Sequence, residues 1–145
     1  MNVVNEMKLE FFSRSANEAL ARSAVSQFTA QLDPTLEELE DVKTAVSEAV
    51  TNAVVHAYPD RLGVIHLRAR LFEGGTLEII VRDKGAGIED VARARAPLYT
   101  TGGEERSGMG FCIMESFMDT LKVRSAPGRG TAVVMRKRVM PRLLR

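Results

Sequence analysis

A chain of 145 residues with 45% apolar and 27% charged side chains suits one packed domain, neither a disordered segment nor a multidomain assembly. Its net charge of +1 gives no overall pull toward nucleic acid, and no apolar run approaches the ~20 residues that span a bilayer, so neither direct DNA binding nor membrane insertion is expected. One cysteine, Cys112, excludes an internal disulfide and suits a reducing compartment.

Met1 to Glu10 lacks the basic-then-apolar order of a secretion signal, which makes a cytoplasmic protein the expectation. Met7, Leu9 and Phe11 alternate with more polar neighbours and predict a first strand. From Ala16 to Leu32, Leu20, Ala24, Phe28 and Leu32 recur every fourth residue, predicting an amphipathic helix with that stripe inward. Asp33-Pro34 ends it, and Thr35 with Glu38 forms a capping-box signal for a second helix running to Ala57. Its core stripe is Leu39, Val42, Val46, Ala49, Val50 and Ala53, and Tyr58-Pro59-Asp60 stops it.

Ile65 to Leu71 and Leu77 to Val81 alternate as strands around a Gly74-Gly75 hairpin turn. The chain is then glycine-rich and irregular to Gly110. A helix is predicted over Phe111 to Asp119, with Cys112 in its apolar run as a core residue. Two strands follow, Leu121 to Ser125 and Thr131 to Lys137, joined through Pro127-Gly128-Arg129-Gly130. A basic excess at the end, in Arg136, Lys137, Arg138, Arg142 and Arg145, reads as a solvated tail. The expected fold is α+β: a single domain over 1–145, a two-layer sandwich of mainly antiparallel sheet with helices on one face.

Three motifs carry chemistry. In the second helix Glu48, Asn52 and His56 are four apart and share a polar face away from the core stripe. That pattern fits a solvated face, but it also offers a neutral oxygen for Mg²⁺ at Asn52 and a base at Glu48. After the strand ending at Arg82 comes Asp83-Lys84-Gly85-Ala86-Gly87. Asp83 can accept from an exocyclic amino group such as that of adenine, and the two glycines let backbone approach a flat base; a plain Asp-x-Gly turn has the same spelling. Ser107-Gly108-Met109-Gly110 opens a helix, where free N–H groups and the helix dipole attract phosphate. The preceding polar stretch, Tyr99 to Arg106, can close as a lid or be an ordinary loop.

The order of these motifs, ending in a strand that begins Gly130-Thr131, resembles the Bergerat ATP-binding fold shared by gyrase B, Hsp90, MutL and histidine kinases. Ser47 to His56, Pro97 to Thr101 and Glu105 to Phe111 are similar to the anti-sigma kinases of endospore formers, with a lid about one residue shorter. The resemblance implies ATP and Mg²⁺, with Asn52 holding the metal and Glu48 as the base. It puts Asp83 on the adenine amino group with Thr131 nearby, and Gly85, Gly87, Gly108 and Gly110 around the pocket. Thr100, Thr101, Ser107 and Met109 are expected against the nucleotide. Arg106 is expected at the terminal phosphate or the bound partner. The implied partners are a sigma factor of the sporulation sigma F kind and an anti-anti-sigma protein phosphorylated on serine, with a homodimer as the working state. Arg22, with Glu18 one turn before it, matches an arginine that contacts both partners. A general-stress anti-sigma kinase and a non-catalytic, ATP-gated sigma-binding module are the alternatives.

Overall fold

The computed structural model describes residues 2–96 and 109–139. In chain order these form β1 (Val3–Phe12), α1 (Ala16–Thr29), a 3₁₀ turn (Ala30–Leu32), α2 (Leu36–Asn52), a π turn (Ala53–Ala57), β2 (Val64–Phe72), β3 (Thr76–Asp83), α3 (Val91–Arg95), α4 (Gly110–Phe117), β4 (Thr120–Ala126) and β5 (Gly130–Arg138). The strands make one antiparallel sheet in the order β1-β2-β3-β5-β4. Helices α1, α2 and α4 pack together and against one face of it. The expected two-layer α+β architecture is the one observed.

Strand alternation builds the core. Leu67 and Ala69 on β2, Leu77, Ile79 and Val81 on β3, and Val133 and Met135 on β5 point at the helices and are buried. Val42, Val46 and Val50 of α2 meet them with no exposed surface. Each such side chain contributes about 1.5–3 kcal/mol on burial. Thr35 caps α2 as its spelling predicts: the hydroxyl accepts from Glu38 N–H at 3.1 Å and the Glu38 carboxylate accepts from Thr35 N–H at 2.9 Å.

Four expectations need correction. The buried stripe of α1 is Ala21, Val25, Phe28 and Thr29, whereas Leu20 is 53% exposed. Thr29 fits the core because its hydroxyl donates to Val25 O at 2.7 Å. The second helix is not regular to Ala57, since it widens into a π turn after Asn52. The stretch read as irregular contains α3, capped by Asp90 accepting from Arg93 N–H at 3.0 Å. Finally, Arg136, Lys137 and Arg138 belong to β5 and not to a solvated tail. Arg136 bonds the Glu78 carboxylate at 2.7 Å, and Lys137 donates to Phe117 O at 2.9 Å.

Candidate functional site

The C-terminal half of α2, the start of α4 and the turn after β3 meet at one end of the helical layer. Asn52 closes α2, and α4 begins directly against it. A Cβ built on Gly110 would lie 3.0 Å from Asn52 Nδ2 and 3.1 Å from its Oδ1. A side chain at this position would crowd the amide, which would have to give by a few tenths of an ångström. Glu48, one turn earlier, is half-buried and makes no ion pair or hydrogen bond with other described residues. It lines the end of an open groove of about 360 Å³ together with Arg22, Glu40, Lys43, Thr44 and Ser47.

At the end of β3 stands Asp83, only 6% exposed. Its Oδ1 accepts from Gly85 N–H at 2.9 Å and from Thr131 N–H at 3.2 Å. Burial pushes the Asp83 carboxyl above its ordinary value of 3.8, and the two backbone donors pull partly back. Oδ2 has no hydrogen bond among the described residues, yet it is not sealed from solvent. A buried carboxylate with one oxygen fixed and one open is a directed acceptor for an N–H donor. Ser125 orders the neighbouring hydroxyl. Its Oγ donates to Gly130 O at 2.9 Å and accepts from Ile88 N–H at 2.7 Å, so in the 2.8 Å contact between the two hydroxyls Thr131 is the donor.

The glycines of the turn let it lie close to two other backbone segments. A Cβ on Gly85 would run into the Ala57 carbonyl, and one on Gly87, at φ +75°, into the Ala126 carbonyl. Both pack closely against the chain itself. Ala86 N–H donates to Ala57 O at 2.8 Å and Gly128 N–H to Ala86 O at 2.7 Å. The turn is thus tied to the end of the π turn on one side and to the β4–β5 turn on the other.

Met109 precedes α4 and is half-buried. Thr100, Thr101, Arg106, Ser107 and Gly108 lie outside the described residues. No group of three His, Cys, Asp or Glu side chains able to hold a metal occurs among the described residues. The donor set still suits Mg²⁺, which takes one or two protein oxygens and completes its shell with phosphate and water. Arg22 of α1 lines the same groove as Glu48, and Glu18 stands one turn before it. Arg22 Nη1 donates to Glu18 Oε1 at 2.9 Å and to Ser47 Oγ at 3.4 Å, and Ser47 Oγ also donates to Glu18. Ser47, Tyr58 and Ser125 escaped the sequence reading. Each works through a contact with a residue distant in the chain.

A carboxylate acceptor, an amide oxygen and a glycine helix start thus stand on one antiparallel sheet with helices packed on it. The family model described as a histidine kinase-like ATPase domain matches residues 11–137. Proteins named anti-sigma F factor are similar over nearly the whole chain. That of Caldanaerobacter subterraneus subsp. tengcongensis is 54% identical, covering 94% of this chain and 96% of the relative. That of Pasteuria penetrans is 57% identical, covering 93% and 91%. This chain belongs to the anti-sigma F factor family of histidine kinase-like ATPases. The fold is also found within the structure of the RsbU and RsbW domains of a Mycobacterium tuberculosis protein, with a TM-score of 0.70 at 18% identity, covering 94% of this chain and 33% of that one. A blue-light activated histidine kinase from Erythrobacter litoralis gives a TM-score of 0.62 at 25% identity, over 89% of this chain and 42% of that one.

Proposed function

We propose that this anti-sigma factor sequesters a sporulation sigma factor of the sigma F kind and, with ATP and Mg²⁺, phosphorylates its anti-anti-sigma antagonist on serine, acting as a homodimer in the cytoplasm. The observation that carries the catalytic part is Glu48. It is a half-buried carboxylate without a partner among the described residues, one turn from the Asn52–Gly110 contact. A module that only bound nucleotide would have no use for a base there.

In this reading Asp83 Oδ2 accepts the adenine amino group, and Asn52 offers its oxygen to Mg²⁺. The metal supplies charge neutralisation on the phosphates, where phosphoryl transfer needs it most. Glu48 takes the proton of the attacking serine hydroxyl. The serine oxygen bonds the γ-phosphorus while its bond to the bridging oxygen breaks, and ADP leaves. Such a base contributes about 10²–10⁴ in rate. Arg106 would reach the terminal phosphate or the partner, and Thr100, Thr101 and Ser107 to Gly110 would close over the phosphates. Glu18 and Arg22 would form the partner contact.

The test is incubation with labelled ATP and candidate antagonists, wild type beside Glu48→Gln. The expected result is phosphoserine with wild type only, while the variant keeps ATP and sigma binding. An active Glu48→Gln protein removes the base role. Transfer to a general-stress antagonist alone reassigns the pathway, and ATP-dependent sigma binding without transfer by wild type leaves the non-catalytic module.

A further inference from the structure

We propose that Tyr58 is a positioning residue for the adenine end of the pocket, which deepens the nucleotide reading above and rests on it. Tyr58 follows the π turn directly and is 6% exposed. Lys84 N–H donates to its phenolic oxygen at 2.8 Å, and the hydroxyl in turn donates to Val64 O at 2.9 Å. The two bonds use the hydroxyl as acceptor and donor at once. The ring is held as well: Gly63 lies against its face, and the Arg61 guanidinium carbon stands 5.3 Å from its centroid.

The consequence concerns Asp83. Three successive N–H groups follow that residue, and each is taken. Lys84 N–H goes to Tyr58, Gly85 N–H to Asp83 itself and Ala86 N–H to the Ala57 carbonyl. Residues 57 and 58 therefore clamp the turn on both sides of Gly85, and the turn aims the open oxygen of Asp83. The same helical segment carries Glu48 and Asn52 a few residues earlier. Tyr58 thereby ties the adenine end of the pocket to its phosphate end. Of the two bonds that residues 57 and 58 make to the turn, only the tyrosine's uses a side chain.

The experiment compares wild type, Tyr58→Phe and a core control, Val25→Ala, whose site on α1 is fully buried. ATP and GTP titrations, kcat and KM for ATP, and thermal melts are measured on all three. Tyr58→Phe leaves a donor and an acceptor unpaired at the pocket wall. It should weaken ATP binding about 5- to 30-fold, raise KM for ATP in parallel, keep kcat at saturating ATP within about twofold, and narrow the preference for ATP over GTP. Val25→Ala should lower the melting temperature without changing nucleotide affinity or preference. If Tyr58→Phe keeps wild-type affinity and preference, or shifts them only as Val25→Ala does, the positioning role is overturned. Should Tyr58→Phe not fold, Gly63→Ala, which pushes on the ring while keeping the hydroxyl, must reproduce the nucleotide effects, or the proposal fails. Wild type that binds no ATP would overturn the nucleotide reading itself, a separate outcome.

Discussion

Asp83 concentrates the chemistry of the site in one side chain. Replacing it by Asn keeps an oxygen for the Gly85 and Thr131 N–H groups but turns an NH₂ toward the position proposed for the adenine amino group. Two donors then face each other, at about 1–3 kcal/mol. Asp83→Asn should lose at least about tenfold in ATP affinity by calorimetric titration, with the fold intact. The stability effect has the opposite sign near neutrality. Because burial raises the folded-state pKa above 3.8, folding favours the protonated acid. That contribution is fully present below pH 3.8 and is lost as pH rises through the folded value. Thermal melts from about pH 3.5 to 7 should show the variant gaining on wild type as Asp83 ionises. A variant that binds ATP like wild type would remove Asp83 from the adenine site.

The first helix shows how a periodicity can be right and its phase wrong. Leu20, Ala24, Phe28 and Leu32 recur with the correct period, but the inward face runs through Ala21, Val25, Phe28 and Thr29, so only Phe28 of the expected stripe is buried. Small residues face α2 because the two helices lie close, and a threonine that bonds its own helix is tolerated there. The shift brings Arg22 beside the buried stripe, and its side chain is 40% exposed. Instead of projecting freely, it closes a network with Glu18 and Ser47 that links α1 to α2. Arg22→Ala should therefore cost up to about 1 kcal/mol of stability, the range of a partly exposed pair. If it anchors both partners, binding of each should weaken by about 2 kcal/mol or more. Paired titrations and melts on this variant decide the point; unchanged binding of both partners would leave Arg22 a purely structural link.

Over the whole molecule the charges are sorted although they nearly cancel. Residues 16–52, covering α1 and α2, carry Glu18, Asp33, Glu37, Glu38, Glu40, Asp41 and Glu48 against only Arg22 and Lys43. The open face of the sheet carries Arg68, Arg70, Arg82, Lys122, Arg124 and Arg136, with Glu6, Glu10 and Glu78 among them. If the sigma factor docks on the α1–α2 side, its contact surface should be basic overall and association should be steered. Stopped-flow measurements should show the association rate falling several-fold between about 50 and 500 mM salt, with dissociation changed less. A salt-independent association rate would move the docking surface off this acidic side.

Local signals carried the element types. Period-two alternation, the Thr35–Glu38 capping box and the Gly74-Gly75 turn act over a few residues, so spelling suffices. The motif order singled out Asn52, Asp83 and Gly110, and each stands at a helix end or a strand end. Other features depend on which distant segment arrives alongside, and no local pattern encodes that. Glu78 alternates as a solvent-facing residue, yet it is 1% exposed because Arg70 from β2 and Arg136 from β5 close over it. The phase of α1 was decided by the close approach of α2. Gly85 and Gly87 were legible as necessary glycines, but that they yield to the Ala57 and Ala126 carbonyls required the packed turn. Tyr58 read only as a helix stop, and tertiary structure alone brought its hydroxyl to Lys84, across 26 residues of chain.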